Sequence, residues 1–253
     1  NSVQITNICR GGGIGRHAGL KSPCPLKGVR VRPSPAALRM DKHTTGSIDY
    51  YTFGTVPRLF MVSGVHGDET EAAKILMLWV REQYHTLPPF LYIPFASPSA
   101  CRLGTRNNAQ GHDLNRKFRD QTDDTEVREY MRIVEGHRFE LGLDIHEDRD
   151  RTKSFYVYDS SQMETRELSS YRKAMEELGV PLFTGVDDPE DETLGCTIDR
   201  GYYALHSETN EFEPDEGFSN KWMVRRGIAR RTFTMEIPQL ANTRAKQEII
   251  SKT

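Results

Sequence analysis

No run of 18 apolar residues occurs in this 253-residue chain, so no membrane-spanning helix is expected. No apolar stretch follows a basic start, so no secretory signal is expected either. Cysteine is scarce. Cys9, Cys24, Cys101 and Cys196 stand far apart, which argues against a disulfide framework and against an all-cysteine zinc site. A reduced, cytoplasmic setting follows as the expectation. Acidic residues are missing from residues 1–39, which hold seven Lys or Arg and neither Asp nor Glu. The remainder carries 27 basic against 36 acidic residues, and such an acidic body is a poor nucleic-acid binder. The basic stretch has no aromatic interleaving on which bases would stack. Internal repeats are absent. What is present, 36% hydrophobic and 28% charged residues, describes a globular chain long enough for one large domain with a sizeable core.

Within residues 1–39, Gly13-x-Gly15-x-x-Ala18 matches a dinucleotide-binding fingerprint. That motif needs a helix behind it to hold the pyrophosphate. Gly19, Pro23, Pro25 and Gly28 follow instead, which speaks against a helix and against nucleotide binding. The string from Arg10 to Lys21, with Cys24-Pro25 and Val31-Arg32-Pro33-Ser34-Pro35 behind it, resembles the conceptual translation of a bacterial leucine tRNA gene. The expected organisation is a non-native or disordered leader over 1–39, a start near Met40, and a catalytic domain over 40–253.

In the body, β-rich runs alternate with amphipathic ones. Strands are expected at Ile48–Gly54, Arg58–Gly64, Phe90–Phe95, Leu141–His146, Ser154–Tyr158, Pro181–Thr184 and Arg230–Ile237, with Pro238 as a stop. Helices are expected at Glu69–Gln83, Glu126–Phe139, Thr165–Leu178, Asn220–Gly227 and Asn242–Ser251. Ala96–Gln121 reads as a long polar loop, and loops of that length are usually functional. Asp187–Gly217 reads as acidic and irregular, wrapping the site. The alternation gives an α/β fold with a mainly parallel sheet and helices on both faces.

The sharpest stretch is Ser63-Gly64-Val65-His66-Gly67-Asp68-Glu69, which follows the apolar run Leu59–Val62. It places His66 and Glu69 on a strand-to-helix loop, at the carboxyl end of a strand, where open α/β sheets bind ligands. Two ligands do not complete a catalytic metal site; two His and one Glu do. His146 ends the apolar run Leu141–Ile145 and can converge on the same sheet edge. Taken alone, a strand-terminal His is more often a satisfied imidazole; the unfilled His66/Glu69 pair shifts that balance. Asp144 lies two residues away and can orient the site from behind. Glu236, flanked by apolar β residues, is costly to bury without a role, and desolvation raises its pKa toward that of a general base. The bland alternative is a Glu on an exposed edge. The segment from Arg106 to Arg116 supplies guanidinium forks suited to carboxylates and to a developing oxyanion.

Four pieces stand in one order: His66-x-x-Glu69, Arg106-x-Asn108-x-x-Gly111-x-Asp113-Leu114-Asn115-Arg116, Asp144-Ile145-His146 and Thr234-Met235-Glu236. Together, over about residues 48–250, they resemble the zinc carboxypeptidase superfamily of metallopeptidases. The resemblance implies one Zn2+ ion held by His66, Glu69 and His146, with Glu236 as catalytic base. It implies that Arg106 polarises the scissile carbonyl, and that Asn115 and Arg116 hold the substrate's terminal carboxylate. The implied fold is a mixed eight-stranded sheet between helices. The implied reaction is hydrolysis of a C-terminal amide bond in a peptide. The superfamily often uses a late Tyr near the substrate, and Tyr202 and Tyr203 are the candidates for it here. The short body also resembles the aspartoacylase and succinylglutamate desuccinylase branch, which implies an N-acyl amino acid substrate instead. The Arg106-to-Asn115 spacing and Glu236-Ile237-Pro238 favour the peptidase branch. A catalytically silent metal-binding relative is the reading from another class, and the intact Glu236 argues against it.

Overall fold

The computed structural model describes residues 39–148, 153–161, 163–187, 196–205 and 217–252. The expected leader therefore lies outside the described residues, Arg39 excepted. The described chain runs β1 (Asp41–Thr45), β2 (Ile48–Phe53), β3 (Leu59–Ser63), α1 (Thr70–Gln83), β4 (Phe90–Ile93), α2 (Pro98–Leu103), α3 (Thr125–Val134), β5 (Leu141–Asp148) and β6 (Tyr156–Asp159). It continues through α4 (Arg166–Glu177), β7 (Gly185–Val186), β8 (Thr197–Ile198), β9 (Tyr202–Ala204), α5 (Ser219–Arg225), β10 (Thr232–Pro238) and α6 (Thr243–Ser251).

Eight strands form one mixed sheet in the order β1-β2-β4-β3-β5-β10-β6-β9. Its centre, β4-β3-β5-β10, is parallel throughout. A parallel sheet of this kind is covered on both faces, so its strands are apolar on both sides. β3 is buried at every position. Side chains alternate across a strand, and the alternation sorts them into two cores. Leu59 and Met61 pack with α1, α4 and α6, joined by Leu143, Ile145, Phe233 and Met235. Phe60 and Val62 pack with α3 and α5 on the other face.

That parity positions the site. On β5 the even-numbered Asp144 and His146 turn to the α3/α5 face, and on β10 Thr234 and Glu236 do the same. The register pairs Thr234 with Asp144 and Glu236 with His146.

Several expected elements shift for local reasons. The Ala96–Gln121 loop contains α2, opened by Pro98 at its first position and closed by left-handed Gly104, and a 3-10 turn at Leu114–Arg116. α3 ends at Val134 rather than near Phe139, because Gly136 turns left-handed and Phe139 bridges to Ala229 instead. Pro181–Thr184 is not a strand; Leu182 makes one bridge to Phe155, and the pairing falls on β7 with β8. Pro238 is the last residue of β10 rather than a stop before it. β1, exposed and without apolar alternation, carried no signal in the sequence. The 187–217 segment expected to wrap the site falls mostly outside the described residues. Among the described residues, no helix is long and apolar enough to cross a membrane.

Candidate active site

The loop from β3 to α1 carries His66 and Glu69. Gly64 takes a left-handed turn after β3. Gly67 then packs so close to α2 that a Cβ there would lie 1.9 Å from Ala100 O. Only glycine fits, and Gly67 N donates to Thr105 O at 2.9 Å. The turn brings His66 Nδ1 to 2.6 Å from Glu69 Oε1. His146, arriving on β5, places its Nδ1 2.9 Å from Glu69 Oε2. All three side chains are buried. Their ligand atoms lie within 4.8 Å of one another, so one ion can reach all three.

The second nitrogen of each imidazole faces a carboxylate. His66 Nε2 is 3.1 Å from Asp113 Oδ1. His146 Nε2 is 3.1 Å from Asp144 Oδ1, an ionic contact rather than a directed hydrogen bond. Asp144 is itself fixed by Ser219 Oγ, which donates to its Oδ2 at 2.9 Å. Carboxylates behind ligating histidines are the usual support of a metal centre. Burial opposes charge on both imidazoles, yet the surrounding carboxylates outweigh it and raise both pKa values. Burial likewise disfavours charge on Glu69, and the two histidines override it, holding that carboxyl well below its ordinary value. Two imidazoles and the Glu69 carboxylate lie this close together, with Asp113 and Asp144 behind the imidazoles. The donor set therefore fits a divalent metal.

Glu236 stands beside His146 on β10. Burial comes first among the causes that push its pKa well above the carboxylate range; Glu69, Asp148 and Asp187 add to it, and His146 opposes it. Arg106 reaches in from the loop after α2. Its Nη1 lies 3.4 Å from His66 Nδ1 and 3.5 Å from Glu69 Oε1. Its Nε donates to Asp113 Oδ2 at 2.9 Å, so one carboxylate orients both His66 and Arg106. Asn115 Oδ1 accepts from Ser219 N at 2.9 Å, and the Arg116 guanidinium sits 4.4 Å over the Phe218 ring.

All seven residues singled out in the sequence (His66, Glu69, Arg106, Asn115, Arg116, His146 and Glu236) line one cavity of about 820 Å³. Tyr203 lines it as well, whereas Tyr202 donates to Asp159 at 3.0 Å and stays outside. Sequence reasoning missed Tyr156 and Lys221, which also line the cavity, as does Asp187, the first residue of the segment expected to wrap the site. Tyr156 pairs with Glu236 across β6 and β10 and donates to Asp187 at 3.3 Å. Its place opposite Glu236 depends on strand order, which no local pattern reveals.

A search of curated proteins found no match. Solved structures do match. A candidate metallopeptidase from Shewanella denitrificans OS217 is 21% identical at a TM-score of 0.67, with 86% of this chain and 82% of that one covered. A metallo-carboxypeptidase from Burkholderia cenocepacia is 16% identical at a TM-score of 0.58, covering 85% of this chain and 63% of the other. The murein-tripeptide amidase MpaA from Escherichia coli O157 is 17% identical at a TM-score of 0.53, covering 80% and 83%. These likenesses establish the shared fold, the mixed eight-stranded carboxypeptidase-like sheet. The sequence model of the succinylglutamate desuccinylase/aspartoacylase catalytic domain matches residues 55–253. That is the branch the sequence reading placed second, inside the superfamily it named. The chain belongs to the succinylglutamate desuccinylase/aspartoacylase catalytic-domain family and is a hydrolase of the zinc carboxypeptidase-like type.

Proposed function

We propose that this protein is a zinc-dependent hydrolase of an amide bond next to a free carboxylate, acting as a metallocarboxypeptidase on the C-terminal residue of a peptide. The observation that carries the reading is the gathering of a buried His66–Glu69–His146 group, a carboxyl base, two guanidinium groups and Asn115 in one cavity. A cavity of that size suits a small ligand.

His66, Glu69 and His146 would hold the ion. Bound zinc supplies Lewis acidity, which makes water a nucleophile near neutral pH. Glu236 takes the proton of the attacking water and returns it to the leaving amine. Its raised pKa suits both transfers, since a stronger base accepts the proton and the resulting acid survives long enough to donate it. Arg106, held by Asp113, offers its guanidinium to the carbonyl oxygen as charge develops there. Asn115 keeps its amide NH2 for the ligand, because Ser219 N occupies its oxygen. With Arg116, laid flat on Phe218, it receives the terminal carboxylate.

The family match favours a second reading, deacylation of an N-acyl amino acid. The same residues would serve, with the acyl group in place of the peptide. One assay separates the two. The zinc-loaded protein is offered short peptides and, separately, N-acetyl and N-succinyl amino acids. Release of a C-terminal amino acid from peptides supports the first reading. Cleavage of the N-acyl amino acids alone moves the conclusion to the second. Stoichiometric zinc binding with turnover of neither sinks both.

A further inference from the structure

Glu69 is the N-cap residue of α1, yet its side chain makes no hydrogen bond to the helix. A helix start leaves backbone N–H groups without partners and attracts any nearby carboxylate. Here the carboxylate comes from a strand far away in the sequence. Glu147 Oε2 accepts from Glu71 N at 2.9 Å and from Ala72 N at 3.1 Å. The backbone N–H of Glu147 donates in turn to Glu69 Oε2 at 3.2 Å.

Glu147 is itself anchored. Lys246, on α6, donates to its Oε1 at 2.6 Å and to Glu71 Oε2 at 2.7 Å. Lys246 is 1% exposed and shares the buried face of α6 with Ile249 and Ile250. A buried ion pair is weak evidence for stability, since apolar residues of similar volume often serve as well. Its place here is specific, because it spans α6, β5 and the first turn of α1, one residue from His146 and two from Glu69.

We infer that Glu147 and Lys246 are positioning residues for the metal centre. Glu147 satisfies the first turn of α1, and this releases the Glu69 carboxylate from capping duty to face His66 and His146. Lys246 fixes Glu147 and offsets its charge. Without the pair, the orphaned N–H groups of Glu71 and Ala72 compete with the metal for the Glu69 carboxylate. The inference rests on Glu69 being a metal ligand, as proposed above.

The test is the zinc dissociation constant, measured by chelator competition, together with the visible spectrum of the Co2+-substituted protein. In E147L/K246M, which removes both charges together, zinc binding weakens about 10- to 100-fold, as for outer partners of ligands generally. The Co2+ spectrum changes with it. E147Q, which keeps an acceptor oxygen for the helix end, stays within about threefold of the parent protein, again by comparison with that range. I249A, a core truncation on the same helix, lowers the melting temperature but leaves zinc affinity and the Co2+ spectrum unchanged. Parental zinc affinity in E147L/K246M overturns the inference. So does an equal loss in I249A at the same lowering of the melting temperature. Should the double variant fail to fold, K246M alone carries the same expectation at about tenfold, the lower end of the range. Parental affinity there overturns the inference equally. Failure of the parent protein to bind zinc at all would instead refute the proposed function.

Discussion

Glu236 lies directly opposite His146 across the parallel pairing of β10 and β5, so the proposed base and one proposed ligand are neighbours on one face of the sheet. Their separation is set by the spacing between strands and not by any loop.

Replacing Glu236 by Gln keeps its size and removes its basicity. Turnover then falls about 10²- to 10⁴-fold, the range for loss of a positioned general base. Zinc binding, measured by chelator competition, stays close to that of the parent. Unchanged turnover would remove Glu236 from its assigned role.

The acidic limb of the pH profile follows from the same residue. Its pKa is raised, chiefly by burial, so the carboxyl holds its proton to higher pH than an ordinary Glu. The base acts only when deprotonated. kcat/KM therefore falls as pH drops through a value above the usual carboxylate range, about 4.3. A profile of kcat/KM against pH that stays flat down to that range would contradict this.

Metal removal should lower thermal stability, because an ion that binds only the folded chain stabilises it by mass action. At a free concentration of 100 times the dissociation constant the gain is about 2.7 kcal/mol. For a domain of this size that corresponds to about 5–11 °C in melting temperature. Scanning calorimetry before and after chelation reads the shift, and readdition of zinc restores it. An identical melting temperature in both states would count against a metal at this site.

Arg231 gives the contrasting case of a structural ion pair. Its Nε donates to Asp159 Oδ1 at 2.9 Å, its Nη2 donates to Oδ2, and Asp159 is fully buried. Neither residue lines the cavity. Arg231→Met leaves the buried Asp159 carboxylate without its counter-charge and costs about 3–5 kcal/mol of stability. Denaturant unfolding checks that loss, while kcat/KM per folded molecule stays near the parental value at low temperature. A large fall in kcat/KM of the folded protein would show that the pair acts on the site.

Local chemistry made much of this legible. The apolar run Leu59–Val62, the Gly-flanked His66-x-x-Glu69 turn and the strand ending in His146 each announce themselves within a few residues, because a buried parallel strand and a turn before a helix are specified by adjacent side chains. Glu236 was visible as a charge among β-formers. α2 was missed because its six residues are too short for a periodic pattern, and its boundaries rest on Pro98 and Gly104. β1 was missed because an exposed edge strand needs no apolar face. Glu147 carried no signal at all; it reads as one more acidic residue after His146.

By itself, then, the sequence determined the strand-helix alternation and pointed to the proposed ligands and the proposed base, since each stands out by residue type and by the few residues around it. Only the tertiary structure decided what stands behind them. Asp113 backs both His66 and Arg106, Tyr203 and not Tyr202 reaches the cavity, and Lys246 closes on Glu147 to cap the helix that carries Glu69. The physical reason is that these contacts join segments far apart in the chain, and strand order and side-chain parity arise only when the sheet assembles.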